Sequence, residues 1–128
     1  METMPYLAIR SAASLIVLER GFVRNYPLDA KNLWRIGRKN PETENDIELE
    51  SKIVSRKHGY IQNIDGEWYY VESGSLNGTY YNGKKIAMNE NSEYEAVKLS
   101  NGDILRVDSD NLENPEERGV LLIFTTEG

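Results

Sequence analysis

Three clusters in this 128-residue chain gather residue types able to grip an anion: Gly37-Arg38, Ser55-Arg56-Lys57-His58 and Asn77-Gly78-Thr79. Glycine beside arginine brings backbone N–H groups and a guanidinium to one oxyanion. Ser55 adds a hydroxyl, and Arg56 and Lys57 add two cations. Asn77, next to a glycine, offers an amide to the main chain of a peptide. This is equipment for holding a phosphate on a peptide, with no group placed to break the phosphoester.

Catalytic and metal readings fail on the same residues. Ser55 and His58 are a hydroxyl and an imidazole, but a triad also needs an orienting acid and an oxyanion hole in one geometry. The Gly-x-Ser-x-Gly elbow is missing, so His58 reads as a structural histidine. The chain has no cysteine and a single histidine, which excludes thiolate and multi-histidine metal sites. Asp108-Ser109-Asp110 opens like a calcium loop but lacks the glycine and closing glutamate that such a loop needs. Asn77-Gly78-Thr79 also fits a glycosylation sequon, a match that carries no weight without a signal peptide. No catalytic residue, metal or cofactor is expected.

Net charge is −6, which argues against nucleic acid, since a polyanion needs a basic surface. The basic residues Arg38, Lys39, Arg56, Lys57, Lys84 and Lys85 nonetheless fall in or beside expected loops, whereas acid concentrates in 42–50, 89–95 and 108–117. A local positive patch on an acidic body suits a small anionic ligand. The most apolar N-terminal stretch, 12–18, is far short of the roughly 20 residues of a membrane span, and a cytoplasmic protein is expected.

The elements that must position these clusters are strands. Residues 15–18, 33–36, 59–64, 68–72, 104–107 and 120–124 are short, rich in β-branched, leucine or aromatic residues, and bounded by Gly, Asn, Asp or Ser. One helical turn is expected near Pro115-Glu116-Glu117. Asp65-Gly66, Asn77-Gly78, Asn82-Gly83 and Asn101-Gly102 tolerate positive φ and suit two-residue hairpin loops. Short strands at this spacing predict a β-sandwich or barrel. Residues 1–13 read as an N-terminal arm and 14–126 as one domain; 39–44 and 108–118 read as surface loops.

Taken in order, Gly37-Arg38, Ser55-Arg56-Lys57-His58, Asn77-Gly78-Thr79 and Asn82-Gly83 resemble the forkhead-associated (FHA) domain family. The intervening pieces fit as well: Asn45-Asp46-Ile47-Glu48-Leu49 falls on the family's N-D-I-x-L strand, and Leu99-Ser100-Asn101-Gly102-Asp103 on its L-x-x-G-D turn. The resemblance covers roughly residues 15 to 126. It implies an all-β, eleven-stranded β-sandwich of two antiparallel or mixed sheets, whose loops at one end bind phosphothreonine peptides of proteins downstream of a Ser/Thr kinase. Carried over by position, Arg38 would contact the phosphate and nearby peptide backbone, Ser55 would donate its hydroxyl, and Arg56 would add charge. Asn77 would hold the main chain just beyond the phosphothreonine, and Gly37, His58, Gly78 and Thr79 would support the loops.

Leu76 is a departure, because many family members place there a threonine that adds a phosphate contact; Ser75 is the candidate substitute. Leu76 and the acidic net charge give the competing reading, a phosphate-independent interaction or self-association module on the same fold. Against the site stand ordinary roles: a solvated arginine for Arg38, a turn-capping hydroxyl for Ser55, rim charges for Lys84 and Lys85. Lys57 is expected to alternate away from Arg56 in an extended segment.

Overall fold

Ala13, Leu15 and Val17 are buried while Ser14, Ile16 and Leu18 between them are half-buried, the period-two signature of a strand with one face on a core. The same alternation runs through Trp34 and Ile36, through Trp68 and Tyr70, and through Leu122 and Phe124. In the computed structural model, which describes residues 12–107 and 120–127, these runs belong to eleven strands: β1 (Ala13–Glu19), β2 (Phe22–Pro27), β3 (Leu33–Arg38), β4 (Ile47–Leu49), β5 (Gly59–Ile64), β6 (Glu67–Glu72), β7 (Tyr80–Tyr81), β8 (Lys84–Lys85), β9 (Val97–Lys98), β10 (Ile104–Arg106) and β11 (Leu121–Thr126). One sheet has the order β2-β1-β11-β10-β7-β8 and the other β4-β3-β5-β6-β9. Only the β3–β4 pairing among those described is parallel, so the second sheet is mixed. This is the expected all-β, eleven-stranded sandwich.

Leu15, Val17, Leu105, Leu122 and Phe124 of the first sheet meet Trp34, Ile36, Ile61, Trp68 and Tyr70 of the second in one hydrophobic cluster. Each fully buried aliphatic or aromatic side chain contributes about 1.5–3 kcal/mol. The cluster is therefore the rigid base from which the loops project. No helix among the described residues is long and apolar enough to cross a membrane.

All six strands read from the sequence are present, and 45–49 supplies β4. β2 was not expected. It exists because Arg20 (φ 51°) and Gly21 (φ 80°) turn β1 back on itself, although Arg-Gly is not a strong turn dipeptide. Of the four expected hairpin turns, Asp65-Gly66 joins β5 to β6 and Asn82-Gly83 joins β7 to β8. The other two are corrected: Asn77-Gly78 links β6 to β7 and Asn101-Gly102 links β9 to β10, so both cross from one sheet to the other. The expected helical turn near residue 115, the 108–118 loop and residues 1–11 of the expected arm lie outside the described residues.

Two polar anchors tie loops to the sandwich, Glu19 near the end where Arg38 and Ser55 lie and Asp103 toward the opposite end. Glu19, buried at the end of β1, accepts the backbone N–H groups of Glu50 (2.9 Å) and Ser51 (2.8 Å) and pairs with Arg24 at 3.2 Å. The hairpin β1–β2 thereby holds the segment leading to Ser55. Asp103 accepts from Tyr81 Oη (2.7 Å), Asn82 Nδ2 (3.1 Å) and the Ser100 N–H (2.7 Å), which ties the β7–β8 hairpin to the turn before β10. Burial pushes the Asp103 carboxyl up, but these donors outweigh it and hold it below its ordinary value.

Candidate functional site

β3 ends at Arg38, and residues 55–58 lie along that end. The Arg38 N–H donates to Ser55 O (3.0 Å), and the His58 N–H donates to Ile36 O (3.0 Å). Gly37 makes this approach possible: a methyl group there would stand 2.0 Å from Arg56 O. Asn45 Nδ2 donates to the same Arg56 carbonyl at 2.8 Å and so joins the β3–β4 loop to the turn. The Arg38 guanidinium, half-buried, donates through Nη1 to Lys52 O at 3.0 Å. A guanidinium has five N–H groups, so most of its donor capacity is left for a ligand.

Ser55 joins two loops. Its hydroxyl oxygen accepts the Leu76 N–H at 2.9 Å, and its own N–H donates to His58 Nδ1 at 3.1 Å. Asn77 Nδ2 donates to Ile53 O at 2.9 Å, which bridges the same two loops a second time. The structure thus brings Arg38, Ser55 and Asn77 onto one stitched loop surface. Arg56 also belongs to this surface through its backbone, but its exposed guanidinium pairs with Glu42 at 3.2 Å. Lys57 lines a cleft of about 370 Å³ beside the β3–β4 loop, together with Arg35, Glu42 and Tyr60.

Beneath the surface lies a buried polar chain. His58 Nδ1 accepts from Ser55, so it carries a lone pair, and the ring is the neutral tautomer with its proton on Nε2. That proton faces Thr79 Oγ1 (2.9 Å) and Gly78 O (3.0 Å). Thr79 donates in turn to Glu72 Oε1 at 2.6 Å, and Tyr70 Oη donates to the same oxygen at 3.0 Å. The other oxygen, Glu72 Oε2, accepts the Ser75 N–H at 2.7 Å and the Ser75 hydroxyl. The single hydroxyl proton of Ser75 therefore lies on an internal acceptor. Leu76, beside it, is 88% exposed.

The protonation states follow from this chain. Burial holds the His58 imidazole below its ordinary value, although Glu72 and Gly78 O pull the other way. Burial pushes Glu72 up, but the Ser75 and Thr79 hydroxyls and the Ser75 amide outweigh it and hold the carboxyl below the usual glutamate value. Tyr70 lies well above the ordinary phenol, through burial and then through the neighbouring Glu72 charge. A neutral imidazole and a charged carboxylate satisfy every donor and acceptor in the chain.

Sequence reasoning placed His58 and Thr79 as supports but overlooked Glu72. The signal was available: Trp68, Tyr70 and Glu72 share the inward face of β6 by period two, and an acid on an inward face needs buried donors.

Comparison with known proteins bears on the family and the fold. The model of the FHA domain family matches residues 34–108, more than half of the chain. The glycogen accumulation regulator GarA of Mycolicibacterium smegmatis is 29% identical over 103 residues, covering 76% of this chain and 55% of GarA. An oxoglutarate dehydrogenase inhibitor of Corynebacterium diphtheriae is 41% identical over 64 residues, 50% of this chain and 39% of the inhibitor. The chain thus spans about half or less of the curated relatives it matches. Among solved structures, Mycobacterium tuberculosis EmbR in complex with a low-affinity phosphopeptide superposes with a TM-score of 0.67 at 28% identity, over 98% of this chain and 29% of that one. With the family match running from Trp34 across Arg38, Ser55 and Asn77 on a two-sheet sandwich, this chain belongs to the FHA domain family.

Proposed function

We propose that this chain is a non-catalytic signalling module that binds phosphothreonine peptides of partner proteins, acting in the cytoplasm downstream of a Ser/Thr kinase. The observation that carries the reading is the joining of Arg38, Ser55 and Asn77 by direct hydrogen bonds between three loops at one end of the sandwich. Arg38 supplies charge and several N–H groups to the phosphate, Ser55 its hydroxyl proton, and Asn77 its amide to the peptide main chain. Phosphothreonine brings a charge of about −1.5 to −2 and three acceptor oxygens. Charge-assisted bonds of about 1.5–3 kcal/mol each, less the cost of ordering the peptide, support a Kd in the micromolar range, about −8 kcal/mol. The phosphopeptide bound by EmbR supports the same ligand class. In this reading Arg56 serves the site through its backbone and its hold on Glu42, and Ser75 positions the loop through Glu72.

Fluorescence anisotropy with a degenerate phosphothreonine library tests the reading, with threonine and phosphoserine versions alongside and Arg38→Ala as control. Micromolar, phosphate-dependent binding lost in the variant is expected. Equal binding of phosphorylated and unphosphorylated peptides would instead favour the second reading, a phosphate-independent interaction module. The specific support for that reading is the exposed Leu76 side chain, which presents an apolar group where the site would otherwise offer a donor.

A further inference from the structure

The β7–β8 hairpin puts a cation onto the Asn77 loop. Tyr80 pairs with Lys85 across the hairpin, and the Ile86 N–H donates to Thr79 O at 2.9 Å, so β8 runs back beside residues 78–79. The Lys85 side chain then crosses Gly78: a methyl group on that glycine would stand 2.7 Å from Lys85 Cε and 3.6 Å from Nζ. Gly78 has φ +81°, and its carbonyl is held by His58, so the surface under the lysine stem is fixed. The turn of the hairpin is fixed too, through Asn82 and its bonds to Asp103 and Ile104.

Charge sharpens the contrast with Arg56, another basic residue of these loops. Arg56 is matched by Glu42. Among the described residues, Lys85 has no carboxylate partner, although the chain as a whole carries net charge −6. Its stem lies on the glycine next to Asn77 and its ammonium is exposed. A lysine that packs its methylenes and leaves its head in solvent is arranged to meet an incoming anion. The neighbouring Leu76 supplies no side-chain donor.

We propose that Lys85 is a further anion contact of this site, engaging an acidic group of the peptide that Asn77 holds. The inference rests on the phosphopeptide reading above. The acidic group has two sources of the same chemistry, a phosphate oxygen or an Asp or Glu side chain following the phosphothreonine. Lys84, its neighbour in a strand, alternates to the other side and takes no part.

The test uses the full chain and two synthetic phosphothreonine peptides, one with Asp at the three positions after the phosphothreonine and one with Ala there. Titration calorimetry compares wild type with Lys85→Met, which keeps the apolar stem, and with Lys84→Met. Lys85→Met is expected to weaken binding of the acidic peptide about three- to fivefold, the scale of one exposed ion pair, with Lys84→Met unchanged. Loss confined to the acidic peptide assigns the contact to a side chain; equal loss on both peptides assigns it to the phosphate. Unchanged affinity of Lys85→Met for both peptides, with wild type still phosphate-dependent, overturns the Lys85 contact alone. Equal weakening by Lys84→Met overturns it too, in favour of diffuse charge. Wild type that ignores phosphate overturns the parent reading and this inference together.

Discussion

Ser55 Oγ accepts the Leu76 backbone N–H at 2.9 Å. That bond fills an acceptor position of the hydroxyl and leaves its single proton to be donated. The hydroxyl is thus oriented by the loop that carries Asn77, and the two loops meet as one surface. Ser75 is the reverse case, its proton committed to Glu72. Two serines on adjoining loops divide their work: one keeps its hydroxyl proton free to donate and the other braces the backbone.

Ser55→Ala removes this hydroxyl donor and leaves the Leu76 N–H, at an exposed position, to water. The expected cost to phosphopeptide binding is about 1.5–3 kcal/mol, the worth of a hydrogen bond to a charged group. Stability should change little, because the core and the buried polar chain are untouched. Calorimetry and thermal melting of the same preparation check both halves. Unchanged affinity would remove Ser55 from the site.

His58 predicts a dependence on pH. Its Nδ1 must be unprotonated to accept from Ser55, and burial holds the imidazole below its ordinary value of 6.5 in the folded chain. The unfolded chain therefore binds a proton more readily between those two values. Stability is fully present above about pH 6.5 and falls as pH drops toward the folded value. Thermal midpoints measured from pH 8 to 5 should decline in wild type and stay flatter in His58→Asn. Stability is the better readout here, because the phosphate of a peptide itself titrates near pH 6.

Glu72 acts in a lower window. Its carboxyl is held below 4.5, so the stability it contributes is present above that value and is lost as pH falls through the folded one. Glu72→Gln would set an amide NH2 or a lone carbonyl against donors from Ser75, Thr79 and Tyr70, two of which face each oxygen. One end of the amide must then point N–H at N–H or O–H. A loss of about 1–3 kcal/mol in urea unfolding is expected, with faster hydrogen exchange at the Ser75 amide. A variant as stable as wild type would show that the carboxylate charge is not needed.

How far the sequence disclosed this arrangement depended on the range of the interaction. Strands with an inward face, such as β1 and β6, were legible because alternation is local. β2 was not, since its Phe22 and Val23 are 74% and 67% exposed and its turn is Arg20-Gly21. β7, β8 and β9 have two residues each, too few to show a period. In the site, Gly37, Arg38, Ser55 and Asn77 were legible as motifs. The Arg56–Glu42 pair and the Lys85 stem over Gly78 were not, because each depends on how separate loops come together in three dimensions.

Gly37→Ala couples fold to site. The added methyl would stand 2.0 Å from the Arg56 carbonyl oxygen, and that carbonyl cannot retreat freely. It is held by Asn45 Nδ2 and flanked by the bonds from Arg38 to Ser55 and from His58 to Ile36. Relief requires the 55–58 turn to lift from β3, which separates Ser55 from Arg38. The expected outcome is a loss of about 1–3 kcal/mol of stability from overpacking together with loss of phosphopeptide binding. Gly21→Ala is the matched control: it has open space around it and φ +80°, so it should lose about 1–2 kcal/mol from backbone strain alone and bind normally. Thermal melting with anisotropy titration of both variants separates the two cases. Gly37→Ala that melts lower yet binds like wild type would show that Ser55 and Arg38 need not be held together by this contact.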